Sequence, residues 1–273
     1  MIKFSVLISL YNKEKTSSLF ECLHSIQSQS YQASEIVIVF DGKISKELKD
    51  IVFSFTNLPI KVVELSKNIG LGKALNEGLK HCSYEWVFRM DTDDICILER
   101  FEKQVNYIKK NPGVVLFGGQ IEEFDEITLE PIGIRYVPCT NNEIRDLIHK
   151  KNTFNHMTVA YKKTIVQAAG GYQHHLFMED YNLWLRIVSQ YYEVGNLPDI
   201  LVKARAGSGM CTRRRGIRYI KTEWKLMNLK RKLNIQKTIP AFIYFVLRSF
   251  PRILPSFLIK FIYIFLRKKI YTS

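Results

Sequence analysis

Residues 86–94, WVFRMDTDD, form a short apolar run that ends in three carboxylates within four residues. Trp86 to Met90 has the length and character of a buried β-strand, and Asp91, Asp93 and Asp94 mark where it stops. Toward the N-terminus the same unit recurs. Phe4 to Leu10 (FSVLISL) is a continuous apolar run, and Thr16 and Ser17 are N-cap candidates for a helix with Leu19, Cys22, Leu23 and Ile26 on one face. Glu35 to Phe40 (EIVIVF) is a strand closing on Asp41-Gly42; Ser45 to Phe55 reads as a helix, Ile60 to Leu65 as a strand and Leu71 to His81 as a helix. Strands alternating with helices of about a dozen residues predict right-handed crossovers and a mostly parallel sheet with helices on both faces. Ligands of such sheets bind beyond the carboxyl ends of the strands, here Tyr11-Asn12, Asp41 and Asp91 to Asp94.

Downstream, Leu98 to Lys110 is an amphipathic helix stopped at Asn111-Pro112, and Val114 to Gly118 is another strand. Glu122, Glu123, Asp125 and Glu126 read as an acidic turn, and Pro131 and Pro138 suggest hairpin material. Met157 to Tyr161 predicts a strand. Lys163 to Ala169 predicts a short helix ended by Gly170-Gly171, and Tyr181 to Ser189 a helix entered through Glu179-Asp180.

The chain has 273 residues, 47% apolar and 24% charged, enough to bury a full core. Its formal charge of +14 is uneven. Residues 1–202 hold 22 Lys/Arg against 25 Asp/Glu, whereas residues 203–273 hold 18 Lys/Arg against the single acid Glu223. A near-neutral domain therefore bears a basic tail, and the division expected is a catalytic domain at 1–205 and a tail at 206–273. The five cysteines are widely spaced with no CxxC pair, which argues against a disulfide framework or a structural zinc site. The first apolar stretch turns polar too quickly for a signal peptide, and no uncharged apolar run reaches the ~18 residues of a spanning helix.

Three constellations could carry chemistry. Arg89 to Asp94 crowds carboxylates at a strand end, where a divalent metal with a bound phosphate would neutralise them; a solvated acidic turn capping the next helix is the plain alternative. Glu179 and Asp180 precede an aromatic-rich helix containing Trp184, which taken alone reads first as an ordinary acidic N-cap and suits a general base only if neighbours desolvate it. NIGLGKALNEG, Asn68 to Gly78, has neither a Walker pattern nor a dinucleotide fingerprint, but Lys73 at a helix start could face a diphosphate. His156 could touch phosphate or acceptor, or serve as a structural hydrogen bonder, and Asp41 could accept from a base N–H or simply form an Asp-Gly turn.

The order and context of SVLISLYNKE, EIVIVFDG, NIGLGKALNEGL, RMDTDD, NHMTVAYKK and GGYQHHLFMEDYNLWLR resemble the family 2 inverting glycosyltransferases with the GT-A fold, over roughly residues 4–225, and specifically the branch that makes amylovoran and O-antigen. The resemblance implies a Rossmann-like α/β domain whose nucleotide pocket is lined by Leu10, Asn12, Glu14 and Asp41. It implies that Asp91 and Asp93 form the DxD motif holding Mn²⁺ or Mg²⁺ on a UDP-sugar, with Asn68, Lys73, Arg89 and His156 beside it, and that Asp180, with Glu179, stands at the catalytic base. Many members read DDG where this chain reads Phe40-Asp41-Gly42, so one of two base contacts is missing.

The tail interleaves Arg213-Arg214-Arg215, Lys230-Arg231-Lys232 and Arg267-Lys268-Lys269 with apolar runs broken by Pro240, Pro251 and Pro255. That pattern suits helices lying on an anionic membrane surface, though they could instead pack on the domain. No nucleic-acid-binding module is present in the sequence. Arg213 to Arg215 and Trp184 are the candidates for the rim facing a diphosphate-linked acceptor. The expectation is a metal-dependent enzyme moving a hexose or N-acetylhexosamine from a UDP-sugar to a lipid-linked (undecaprenyl-diphosphate) saccharide, at the cytoplasmic face of a bacterial inner membrane, in surface polysaccharide synthesis. A sugar nucleotidyltransferase would want a glycine-rich loop after the first strand, and Leu10 to Lys15 has no glycine. A non-catalytic saccharide-binding subunit would not need Asp91, Asp93 and Asp180.

Overall fold

The computed structural model describes residues 2–206 and 216–250. Among the described residues nine strands form one sheet in the order β3-β2-β1-β4-β8-β6-β9-β5, with β7 paired to β6. Strands β1 (Phe4–Leu10), β2 (Glu35–Phe40), β3 (Ile60–Glu64) and β4 (Trp86–Arg89) are parallel, as their alternation with α1 (Thr16–Gln27), α2 (Lys46–Ser54) and α3 (Leu71–His81) predicts. Residues 95–206 supply the other half. They comprise β5 (Ile95–Cys96), α4 (Arg100–Lys110), β6 (Val114–Asp125), β7 (Pro131–Arg135), α5 (Asn141–Ile148), β8 (Ala160–Lys162), α6 (Lys163–Ala168), α7 (Glu179–Val188) and β9 (Glu193–Ala206). β8 runs antiparallel to both β4 and β6, whereas β9 runs parallel to β6.

Both faces of the sheet are covered, so strand residues are buried whichever way they point. Phe4, Val6, Ile8 and Leu10 alternate into a core shared with α1, α2 and α4, while Leu7, Val37 and Val39 enter a second core with α3 and α7. Gly78 sets the α3 spacing: a Cβ there would lie 2.5 Å from both Leu7 Cδ1 and Val39 Cγ2. α8 (Gly216–Lys232) places Tyr219 and Leu226 in the second core, so the first helix beyond the expected boundary packs on the domain, and α9 (Thr238–Ser249) follows it.

The structure corrects several local expectations. The N-cap of α1 is Lys15 rather than Thr16 or Ser17, which are helical; Ser45 does cap α2, accepting from the Leu48 N–H. The acidic turn dissolves in part, because Glu122 and Glu123 lie within the 12-residue β6 and only Asp125 and Glu126 start the turn to β7. His156–Thr158 is a 3₁₀ turn, not the start of a strand. Glu179 and Asp180 occupy the first turn of α7. Among the described residues Cys22, Cys82, Cys96 and Cys139 are free thiols.

Overfilling the α3 contact tests this packing. Gly78→Val should destabilise the fold by about 1–3 kcal/mol, lowering the melting temperature by several degrees in thermal unfolding, because two core side chains must move.

Candidate active site

A cleft of about 470 Å³ opens beyond the carboxyl ends of β1, β2 and β4. Tyr11, Lys13, Glu14 and Lys15 line it from the segment after β1, Asp41 and Asn68 from the loops after β2 and β3, and Asp91, Thr92 and Asp93 from the segment after β4. Five expected residues thus converge: Glu14, Asp41, Asn68, Asp91 and Asp93.

Asp41 is buried, and its two carboxylate oxygens accept from the Ile69 and Gly70 N–H groups at 2.7 and 3.1 Å. Its carbonyl accepts from Asn68 Nδ2 at 3.2 Å. The Asp41-Gly42 turn therefore builds the floor of the cleft as well as lining it. Gly42 has φ +90, and a Cβ there would stand 2.5 Å from the Asn68 nitrogen, so no other residue fits.

At the other end, Arg89 is fully buried and pairs through Nη2 with Asp91, while its Nε and Nη1 have no partner. Burial would raise the Asp91 carboxyl, but the Arg89 guanidinium outweighs it and holds the group below the usual range. Asp93 is pushed up to about 7 by burial and by the neighbouring charges of Asp91 and Glu14. Asp94 is raised well above its ordinary value, again by burial first and then by Asp93 and Asp91, and its carboxylate accepts from the Arg205 N–H at 3.0 Å. Arg205 Nε also donates to the Asp93 carbonyl at 2.7 Å. The pocket end thus holds more negative charge than its own cations neutralise. That excess fits a divalent cation at Asp91 and Asp93. Among the described residues no three His, Cys, Asp or Glu side chains converge as a metal cage, so ligand oxygens would have to complete the coordination.

The base candidate lies at the start of α7. Asp180 Oδ2 accepts from Asn152 Nδ2 at 2.8 Å. Burial, then Asp180, raises Glu179, whose side chain packs against Gly72 of α3, where a Cβ would come within 3.3 Å of Glu179 Cγ. His156 Nε2 lies 3.0 Å from the Tyr172 hydroxyl, and burial, followed by the Arg89 charge, lowers it to about 4. The charges of Asp180 and Asp91 both act on this imidazole, which therefore sits between the two acidic sites as a neutral hydrogen-bonding ring.

Other expected residues lie elsewhere. Leu10 has its side chain in the core, and only its carbonyl serves the site, accepting the Asp41 N–H at 2.8 Å; Tyr11 is the neighbour that lines the cleft. Asn12 Oδ1 accepts from the Ser45 N–H at 2.6 Å and braces the loop before α2. Lys73 is exposed and outside the cleft lining. Arg89 has no exposed surface with which to meet a diphosphate. Trp184 is fully buried in the second core against Phe154, His156 and Tyr172, so it is not on an acceptor rim. Arg213, Arg214 and Arg215 lie outside the described residues.

Sequence reading missed Lys13, Lys15, Glu126, Asn152 and Arg205. The two lysines follow the first strand in YNKEK, Tyr11 to Lys15, and are legible there as cations after a strand. Glu126 enters the cleft from the β6–β7 hairpin, where its Oε1 meets Lys15 Nζ at 2.5 Å, a contact that depends on a long-range register.

Comparison with known proteins adds four findings. The family model described as glycosyl transferase family 2 matches residues 5–169. The chain is 51% identical to the amylovoran biosynthesis glycosyltransferase AmsE of Erwinia amylovora, covering 95% of this chain and 97% of that protein. It is 35% identical to the UDP-Gal:alpha-D-GlcNAc-diphosphoundecaprenol beta-1,3-galactosyltransferase of Escherichia coli, over 96% and 95% of the two chains. Among solved structures, S. aureus TarS 1-349 in complex with UDP-GlcNAc superposes with a TM-score of 0.69 at 19% identity, covering 90% of this chain and 71% of that one. The architecture is the GT-A fold.

The repulsion at the carboxylate cluster has a measurable consequence in chelator. Asp93 has its folded pKa above the unfolded value near 4, so the penalty is absent below that value and grows as pH rises toward 7. Asp93→Asn should therefore melt about 2–4 °C above the parent at pH 8, with the difference vanishing toward pH 4, in thermal unfolding.

Proposed function

Because the chain belongs to glycosyl transferase family 2, we propose that it transfers a hexose or N-acetylhexosamine from a UDP-sugar to a lipid-linked, diphosphoundecaprenol-borne saccharide, with inversion, in bacterial surface polysaccharide synthesis. The observation that carries the reading is the cleft itself, which joins Asp41 on one side to Asp91 and Asp93 on the other. Two relatives support the donor and acceptor classes: the Escherichia coli galactosyltransferase by its substrates, and TarS by its bound UDP-GlcNAc.

In this reading the base stacks at the Tyr11 and Asp41 end, and the diphosphate lies toward Lys13, Lys15 and the acidic motif, the two lysines taking the part expected of Lys73 and Arg89. Asp93 and Asp91 would hold Mn²⁺ or Mg²⁺, which would supply positive charge to offset the negative charge developing on the leaving diphosphate. Arg89, held behind Asp91, keeps that carboxylate ionised and oriented. Asp180, oriented by Asn152, takes the proton of the acceptor hydroxyl. The hydroxyl oxygen attacks the anomeric carbon from the face opposite the diphosphate, the carbon–oxygen bond to the diphosphate breaks, and configuration inverts in one displacement. Neutral His156, braced by the Tyr172 hydroxyl, would offer sugar or acceptor a hydrogen bond without adding charge. The enzyme works as a peripheral protein at the cytoplasmic face of the inner membrane. Among the described residues no helix is long and apolar enough to cross a membrane.

Asp180→Asn should lower kcat by about 10²–10⁴-fold with an unchanged melting temperature, measured as nucleotide release with a diphospholipid-linked acceptor. Near-normal turnover would overturn the base assignment. UDP-glucose, UDP-galactose and their N-acetyl forms, screened with Mn²⁺, should include one that raises the melting temperature of the parent; the bound donor at a hundredfold excess over Kd stabilises by about 2.7 kcal/mol.

A further inference from the structure

Helix α9 turns its apolar residues away from the protein. Ile239, Phe242, Ile243, Val246, Leu247 and Phe250 recur at steps of three and one, which places them on one helical face, and they are 44–75% exposed. The buried residues of the helix are Ala241 and Ser249. An apolar stripe of this extent on a surface calls for a cover.

The helix is held firmly from the other side. Arg248 forks onto buried Glu223 of α8, Nε to Oε2 at 2.8 Å and Nη2 to Oε1 at 2.9 Å. Its Nη1 donates to the Lys150 carbonyl at 3.1 Å, and Phe245 packs edge-on against Trp224. Beside it, Lys230 Nζ donates to the His149 carbonyl at 2.8 Å, and both cations lie over the Tyr181 ring. The stripe is thus presented in a fixed orientation.

Charge decides what covers it. Glu223 is the single carboxylate of residues 216–250 and is consumed by Arg248, while Arg218, Lys221, Lys225, Arg231, Lys232 and Lys237 are exposed. The surface of α8 and α9 therefore offers apolar groups and cations with no exposed anion. A second copy of the chain would bring like charge against like. The following residues 251–273 add Arg252, Lys260, Arg267, Lys268 and Lys269 without one acid, so they offer no complementary charge either. A bilayer containing anionic phospholipid supplies both partners at once, acyl chains for the stripe and headgroups for the cations.

We propose that the α9 face is the membrane-docking surface of this protein, lying in the interface of an anionic bilayer with Phe242, Ile243 and Val246 at its centre. This deepens the peripheral-membrane part of the preceding reading while resting on observations independent of the donor cleft. It also places the chemistry. α9 is fastened to Lys150 and α8 to His149, directly before Asn152, which holds Asp180. The base candidate then stands one short loop from the lipid surface in which a lipid-linked acceptor is anchored.

The test uses the full chain and co-sedimentation with vesicles of phosphatidylcholine alone or mixed with phosphatidylglycerol. The parent should bind the anionic vesicles and be released by salt. A variant combining Phe242→Glu, Ile243→Glu and Val246→Glu should lose about tenfold or more in vesicle partitioning. Its melting temperature and its stabilisation by the donor should remain those of the parent, and loss of vesicle binding with donor stabilisation intact separates this proposal from the glycosyltransferase reading. Unchanged partitioning of the triple variant would overturn the proposal. As a second measurement, Ile243→Cys carrying an environment-sensitive fluorophore should shift to the blue only when anionic vesicles are added. A blue-shifted spectrum already present without lipid would overturn it as well, pointing to a second copy if it depends on protein concentration and to residues 251–273 if it does not.

Discussion

The carboxylates at the end of β4 must live next to one another on the edge of an apolar sheet, and the surrounding structure is arranged around that burden. Arg89 is buried for the sake of Asp91, and its own carbonyl is held by Arg100 Nη2 at 2.6 Å. Arg205, at the end of β9, reaches back to the carbonyl of Asp93 and the carboxylate of Asp94. Strands far apart in sequence are thereby keyed to four residues. A carboxylate pair left with excess charge costs stability in the empty protein and favours any ligand that brings positive charge.

The two halves of the sheet are built differently. Residues 4–94 form repeating strand–helix units whose loops all emerge at one edge, so the cleft follows from topology. The second half is mixed, β6 running parallel to β9 but antiparallel to β7 and β8, and there position comes from side chains: Asn152 on Asp180, Asn76 Nδ2 on the Tyr172 carbonyl at 2.8 Å, and Arg186 Nη2 on the Gly171 carbonyl at 2.6 Å.

This difference explains what could be read from residues alone. Leu71–His81 is legible to the residue because its amphipathic period is regular and Gly70, at φ +86, opens it. The acidic motif and Asp41 are legible because strand ends in a parallel sheet have a known place. Leu10 and Trp184 mislead for one reason: their neighbours belong to the site, but burial on both faces turns the side chains themselves into core. Arg89 misleads because a cation beside carboxylates reads equally well as a ligand contact or as a buried counter-ion, and only burial separates the two. α5 and β9 escape notice since their apolar residues pack against partners 40 or more positions away, which no local period reports. For the same reason Asn152 and Glu126 carry no sequence signal. Each acts through a contact made by the fold.

The pair between Lys15 and Glu126 gives the cleft an occupant of its own. The hairpin tip delivers a carboxylate to a lysine that faces the pocket, so an anion arriving at Lys15 must exchange with Glu126. Both partners are substantially exposed, at 64% and 31%, and such a pair is worth about 1 kcal/mol or less. The exchange is thus nearly isoenergetic for a ligand that makes one contact and clearly favourable for one that makes several. A lone phosphate gains little by displacing Glu126, whereas an extended molecule touching Tyr11, Asp41 and the lysines together does so at small cost.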